Sequence, residues 1–358
     1  MSGRLLRLVC TAAVAAGTVL APLPAAAVPE PPAPGERSVS ELLTDLQRLY
    51  QQAEEATETY NATAEKLKEQ RAQVRRLDGQ LARARLSLHD SRGAAGRLAR
   101  QQYQNSTDIS PYVRLLLARD PQHALDQGHV IGQLAQERAE TVGRLTGSEK
   151  KADGLARKAR AALDRQLTLS VRQKKDRDAV RKKMDDVEEL LASLTEEQLG
   201  AVAELERTDV EAAQEDLVTS GALGSGEDAG EPTRAADRAV RYAVQQLGKP
   251  YEWGAEGPEA YDCSGLTSEA WGHAGRPIPR TSQEQWAELP RIPLRELRPG
   301  DLVVYFPKAT HVAIYLGGGQ VVQAPRTGEK VKVSPLASHP ILGAVRPDKG
   351  QGQDRDAR

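Results

Sequence analysis

Aromatic side chains make up only 4% of the 358 residues, with a single Phe and three Trp, and there are only two cysteines. So small a supply of rings excludes one large core enclosing the whole chain, whereas 28% charged residues suits long solvated helices. The formal net charge is -1 with both signs interspersed, which leaves no basic face and points away from nucleic acid as a partner. No disulfide framework can be built from so few thiols. An apolar run of full membrane-spanning length, about 20 residues, is also missing at the N-terminus. What stands there is Arg4 and Arg7, the shorter run Leu8 to Leu20, and Ala25-Ala26-Ala27, the pattern of an export signal over residues 1–27. A secreted, extracytoplasmic product is expected. Its one remaining cysteine, Cys263, would be an unpaired thiol in a compartment that favours disulfides.

The rest divides by texture. Residues 28–37 (VPEPPAPGER) form a Pro-rich spacer. Ser38 and Glu41 match a capping box and predict a helix start. From Leu42 through Leu46, Leu49, Ala53, Ala56, Tyr60, Thr63, Leu67, Gln70, Val74, Leu77, Leu81, Ala84 and Leu88 the seam alternates steps of four and three, a heptad pattern. Continued to Asn105 at about 1.5 Å per residue, such a helix is of order 100 Å long. A second seam from Ala152 to Leu205 can pair with it, so residues 38–216 read as an antiparallel coiled-coil hairpin with a tip near 106–128. The apolar tip cluster Tyr112, Val113, Leu115, Leu116 and Leu117 suits a cap on the coil or a docking surface for a membrane partner. The seams fit an intermolecular coil equally well, so the oligomeric state stays open. Residues 217–233 read as a flexible linker, 234–347 as a small α+β domain, and 348–358 as a disordered polar tail.

Chemistry concentrates in the α+β domain. Cys263 precedes a short helical segment, where aligned peptide dipoles favour the reactive thiolate and its own N–H can help hold an oxyanion. Of six histidines, His89, His123 and His129 belong to the coil or its tip, His273 shares the helix of Cys263, and His339 sits in a loop beside Pro340. His311 remains, opening a strand on whose one face lie His311, Ala313 and Tyr315. With a three-residue loop at Gly317 to Gly319, Leu316 pairs with Gln320, and Gln323 then lies diagonal to His311. Its amide oxygen can accept the second ring N–H and fix the tautomer. No metal or cofactor is called for. Asp301 reads as the turn acceptor after Pro299-Gly300.

The segments LGKPYEWG (from Leu247), DCSGL (from Asp262), PRTSQ (from Pro279), LRPGDL (from Leu297), HVAIYLG (from His311) and Ala324-Pro325 together resemble the NlpC (p-sixty) cell-wall peptidases. The resemblance covers about the last third of the chain and implies a papain-like domain. It implies Cys263 as nucleophile, His311 as base and Gln323 in the third, polar position, where relatives often carry His, Asn or an acid. Tyr251, Asp262, Ser264 and Arg280 carry over as residues of the oxyanion and peptide groove. Ala255 and Ala313 stand where Gly is usual. The implied substrate is the stem peptide of peptidoglycan, cut between D-glutamate and diaminopimelate through a thioester. Two alternatives are an N-acetylmuramoyl-L-alanine amidase on the same fold and a non-catalytic scaffold of the division machinery. The coil resembles arms of cell-division hydrolases that sense position or clamp the enzyme under a membrane transporter-type regulator.

Overall fold

The computed structural model describes residues 37–105, 113, 121–224 and 231–348. The expected signal, nearly all of the Pro-rich spacer, most of the coil tip, the middle of the linker and all but Asp348 of the tail lie outside the described residues. The described residues up to Thr219 are mostly helical and are followed by a small domain built on an antiparallel sheet.

Among the described residues three helices come first: α1 (Val39–Asn105), α2 (Pro121–Ser193) and α3 (Glu196–Thr219). Helix α1 starts on the expected box, with the Ser38 N–H donating to Glu41 at 2.9 Å and the Glu41 N–H donating to Ser38 Oγ at 3.3 Å. The return arm breaks where the seam reads as continuous. Thr195 and Gln198 form a second capping box that starts α3 afresh, so Leu191 and Leu205 belong to different helices and Leu194 lies in the break. Helix α2 also begins at Pro121, inside the stretch expected as tip.

Two compact units result. Thr63–Lys174 form one; the described residues before and after them form the other. In the first unit α1 and α2 run antiparallel, as Gln70 donating to the Ala162 carbonyl at 2.9 Å and Ser148 donating to Ser91 Oγ at 3.0 Å require. The second unit holds the base of the helices together with the sheet domain. There Leu42, Leu43 and Leu46 of α1 pack with Val187 of α2 and Val202 of α3 in a small cluster.

The sheet domain opens with α4 (Arg234–Gln245), followed by α5 (Cys263–His273) and α6 (Ser282–Glu288). The strands are β1 (Arg291–Ile292), β2 (Leu302–Tyr305), β3 (His311–Gly317), β4 (Gln320–Gln323), β5 (Lys332–Pro335) and β6 (Ile341–Val345), in antiparallel order β1-β6-β2-β3-β4-β5. Both central strands are covered on two sides. Val304, Val312 and Ile314 pack under α4 and α5 with Leu266 and Trp271, while Val303, Tyr305, Ala313 and Tyr315 pack with Leu297 and Leu336 on the other face. Leu217 and Leu223 cover that second face, and α3 is pinned to it through Gln214, which donates to Gly319 and accepts from the Ala337 N–H. The ends of the stretch expected as linker are thus occupied: Leu217 is helical and Leu223 packs on the sheet. Asp348, expected in the tail, is buried against Thr233 and Arg298.

The β3–β4 turn corrects the expected loop. Gly317, not Leu316, pairs with Gln320, and Gly318-Gly319 make a two-residue turn, both with positive φ. A bulge between Tyr315 and Gly317 absorbs the extra residue, so Ile314 still faces Val322 and Gln323 keeps the register expected for it.

Glycine is required at Gly300, where φ is +98° and an added Cβ would lie 2.6 Å from Ala236 Cβ. Asp301 beside it accepts the Arg298 N–H at 2.9 Å, closing the turn that feeds β2. Gly300→Ala should therefore lower unfolding stability by about 2 kcal/mol or more, through backbone strain and overpacking together. Urea titration of the variant against the parent checks this, and an unchanged midpoint would refute it.

Candidate active site

Helix α5 begins where a buried carboxylate organises its surroundings. Asp262 is the N-cap: Oδ1 accepts the Gly265 N–H at 2.6 Å, and Oδ2 accepts the Gly254 N–H at 2.9 Å. Arg280 clamps both oxygens, at 3.1 and 2.7 Å. Gly265 lets the first turn of α5 close onto the Gly254–Ala255 loop, since a Cβ there would meet the Ala255 carbonyl oxygen at 2.2 Å. Cys263 thus sits in the first turn of a firmly capped helix.

His311 and Gln323 meet as the register requires, with Nε2 and Oε1 2.7 Å apart. Gln323 Nε2 in turn donates to Ser338 Oγ at 3.3 Å, so its carbonyl oxygen faces the ring. This assigns the proton to Nε2 and leaves Nδ1 as the basic nitrogen. Strand alternation does not itself aim His311 at α5. That helix packs over Val312 and Ile314, and Ala313 and Tyr315 face the other way. His311 occupies the strand's first position, at its end.

What reaches both Cys263 and His311 is a feature absent from the sequence reading: a polar stripe of α1. Glu54, Thr57, Glu58 and Asn61, spaced for one helix face, are all buried. Glu54 Oε1 lies 3.5 Å from His311 Nδ1, and Glu58 Oε1 lies 3.8 Å from Cys263 Sγ. Residues four apart on a helix are neighbours, so one turn of α1 spans the thiol and the imidazole. Asn61 donates to Asp262 Oδ2 at 3.0 Å, and Tyr60 stacks edge-on against Trp253 at 5.1 Å. Cys263 is 2% exposed and His311 0%. No peptide can reach the thiol while α1 lies there.

The electrostatics match a closed site. Burial pushes the Cys263 thiol up, and the negative charges of Glu58, Asp262 and Glu54 add to it. The dipole argument for a thiolate is therefore overridden here, because desolvation and three carboxylates outweigh a helix end. Burial lowers His311 to about 4, and it raises Glu54 well above the usual carboxylate range. Both shifts work against an ion pair across their 3.5 Å contact. Glu58 is raised to about 7, by burial first and then by Asp262, against the bonds it accepts from Ser264 and Ser282.

The other residues expected at the site converge on it. The Ser264 hydroxyl accepts from Arg280 at 2.8 Å and donates to Glu58 at 2.7 Å. Tyr251 is buried in the same cluster as Cys263, and burial keeps its phenol protonated. His339, set aside from sequence, packs edge-on to His311 at 5.0 Å, half-buried, with its buried Nε2 lacking a partner. It lines a groove of about 970 Å³ between α1, α3 and the sheet that also reaches Glu54, Phe306 and Arg326. Among the described residues no cluster of His, Cys, Asp or Glu is arranged to hold a metal ion, and no helix is long and apolar enough to cross a membrane.

A model of the NlpC/P60 family matches residues 248–343. Over 116 residues the chain is 41% identical to a Corynebacterium glutamicum protein named "probable endopeptidase", covering 32% of this chain and 56% of that one. Over 93 residues it is 43% identical to the "probable endopeptidase p60" of Listeria welshimeri, covering 25% of this chain and 18% of that one. The chain thus spans about half the length of the first relative and less than a fifth of the second. Among solved structures, the NlpC/p60 domain of the peptidoglycan hydrolase SagA is 34% identical, with 31% of this chain and 97% of that chain covered and a TM-score of 0.30. Helices α1 to α3 lie outside the family match.

Closure should depend on pH. Glu58 binds its proton more tightly when docked than at its ordinary value of 4.5. Its contribution to docking is therefore complete below about 4.5 and is lost as pH rises through about 7. Glu54 acts in the same sense. Iodoacetamide alkylation of Cys263, read by mass spectrometry on its own peptide and divided by the rate in urea at the same pH, should rise between pH 5 and 8. A flat ratio would contradict this.

Proposed function

The chain belongs, through residues 248–343, to the NlpC/P60 family, and from that premise we propose that it is a cysteine endopeptidase acting on the stem peptides of peptidoglycan outside the cytoplasmic membrane. The observation that carries the reading is the pairing of His311 with Gln323 at 2.7 Å, which leaves a basic Nδ1 at the same turn of α1 that covers Cys263.

With α1 displaced, His311 Nδ1 takes the thiol proton as Cys263 Sγ attacks the amide carbonyl carbon. The Cys263 N–H, with the Tyr251 phenol beside it, supports the oxyanion. Collapse breaks the C–N bond, His311 returns the proton to the leaving amine, and a thioester remains. Water, deprotonated by His311, then attacks the thioester, releasing a carboxylic acid and restoring the thiol. Gln323 holds the ring and its tautomer but brings no negative charge to stabilise an imidazolium.

The bond assigned is that between the side-chain carboxyl of D-glutamate and diaminopimelate. Its acyl side carries a free α-carboxylate, and the Arg280–Ser264 pair beside the nucleophile suits an anion. An amidase cutting at muramic acid would need no such group.

Two experiments test the assignment. Muropeptides from cells producing the chain should show new diaminopimelate amino termini that Cys263→Ala abolishes. Identical profiles from the two would end the enzyme reading, and new alanine amino termini would favour the amidase. Second, Gln323→Ala should lower kcat about 10-fold or more with KM little changed. Gln323→Asn should recover part of that loss, and parity of all three proteins would remove Gln323 from the site.

A further inference from the structure

Glu58 has no part in that reaction, yet the catalytic domain provides it with a fitted seat. Its Oε1 accepts from Ser264 Oγ at 2.7 Å, and its Oε2 accepts the Ser282 N–H at 2.7 Å. Arg280 donates to the same Ser264 hydroxyl, so the three groups favour an anion, and what opposes the ionised form of Glu58 is its burial under α1 and the nearby Asp262. Both donor residues are fully buried, and Ser264 follows the nucleophile directly. Removal of α1 would take the Glu58 acceptor from the Ser264 hydroxyl and the Ser282 N–H beside Cys263, while Arg280 stays behind that hydroxyl, paired with Asp262. Buried polar groups of this kind are built for a partner, and during turnover that partner comes from the substrate.

A γ-glutamyl substrate presents its free α-carboxylate within a few bonds of the scissile carbonyl. From these contacts we infer that Glu58 is a built-in competitor, filling the seat of the substrate's free carboxylate while Glu54 covers His311 and Tyr60 anchors the helix on Trp253. The identity of the competing ligand rests on the endopeptidase reading; the competition itself does not. The helix and the substrate are then mutually exclusive, and whatever withdraws α1 activates the enzyme by vacating one carboxylate site.

The test uses the full chain and reads alkylation of Cys263 by iodoacetamide, which needs no turnover. Glu58→Ala should raise the rate at pH 7 at least 10-fold. Tyr60→Ala, which loosens the same helix without touching the seat, should raise it too and serves if the first variant misfolds. In either variant L-alanyl-γ-D-glutamate should protect the thiol at concentrations at least 10-fold lower than L-alanyl-D-isoglutamine, its α-carboxamide counterpart. Equal protection by the two, or unchanged alkylation in both variants, overturns the inference. Peptide hydrolysis is scored separately: strong alkylation with selective carboxylate protection but no hydrolysis supports the seat and counts against the endopeptidase reading alone.

Discussion

A carboxylate removed from water must be met by donors from all sides, and the burial of Asp262 is the constraint on which the catalytic domain is assembled. Its two oxygens collect the cap of α5, the Gly254 N–H, the fork of Arg280 and the amide of Asn61. Three segments far apart in sequence are thereby brought to one point, and Cys263 is the next residue along. The same fork that satisfies Asp262 polarises Ser264, so the group that holds the helix start also prepares the place where Glu58 rests. Loss of Arg280 would leave a buried charge without its cation, on the donors of Gly265, Gly254 and Asn61 alone, which makes this residue structural and functional at once.

Much of the fold could be read from residues because its signals are local. Ser38 and Glu41 announce a helix by capping chemistry, Asp301 follows a Pro-Gly turn, and Gly317 to Gly319 announce a hairpin. Gln323 was placed by counting across that hairpin. The count survived a wrong loop length because a bulge compensates for it. Strands β1, β5 and β6 carried no comparable signal. β1 has two residues, β5 is an edge ending in Pro335, and β6 contains Gly343, which interrupts the apolar pattern yet is needed where Trp286 lies close.

The stripe on α1 escaped for a different reason. A run of Glu, Thr and Asn on a helix normally means a solvated face, and burial arises here only through contacts spanning about 200 residues of sequence. His339 was passed over likewise, since its nearness to His311 depends on the pairing of β2 with both β3 and β6. One trace was available. From Leu49 to Glu65 there is no Lys or Arg, although the rest of the helical region intersperses both signs.

That missing positive charge bears on what α1 can do by itself. In water Glu54 and Glu58 would stand four residues apart as like charges, a spacing that weakens a helix by a few tenths of a kcal/mol. Thr57, Thr59 and Asn61 add poor intrinsic propensity to the same two turns. Helicity at this point is therefore lent by the cleft, whose burial favours the protonated form of Glu54 and whose donors satisfy Glu58. Once outside it, the stretch that blocks the thiol becomes the place where the long helix most readily melts, and a melted segment has to be refolded before it can block again.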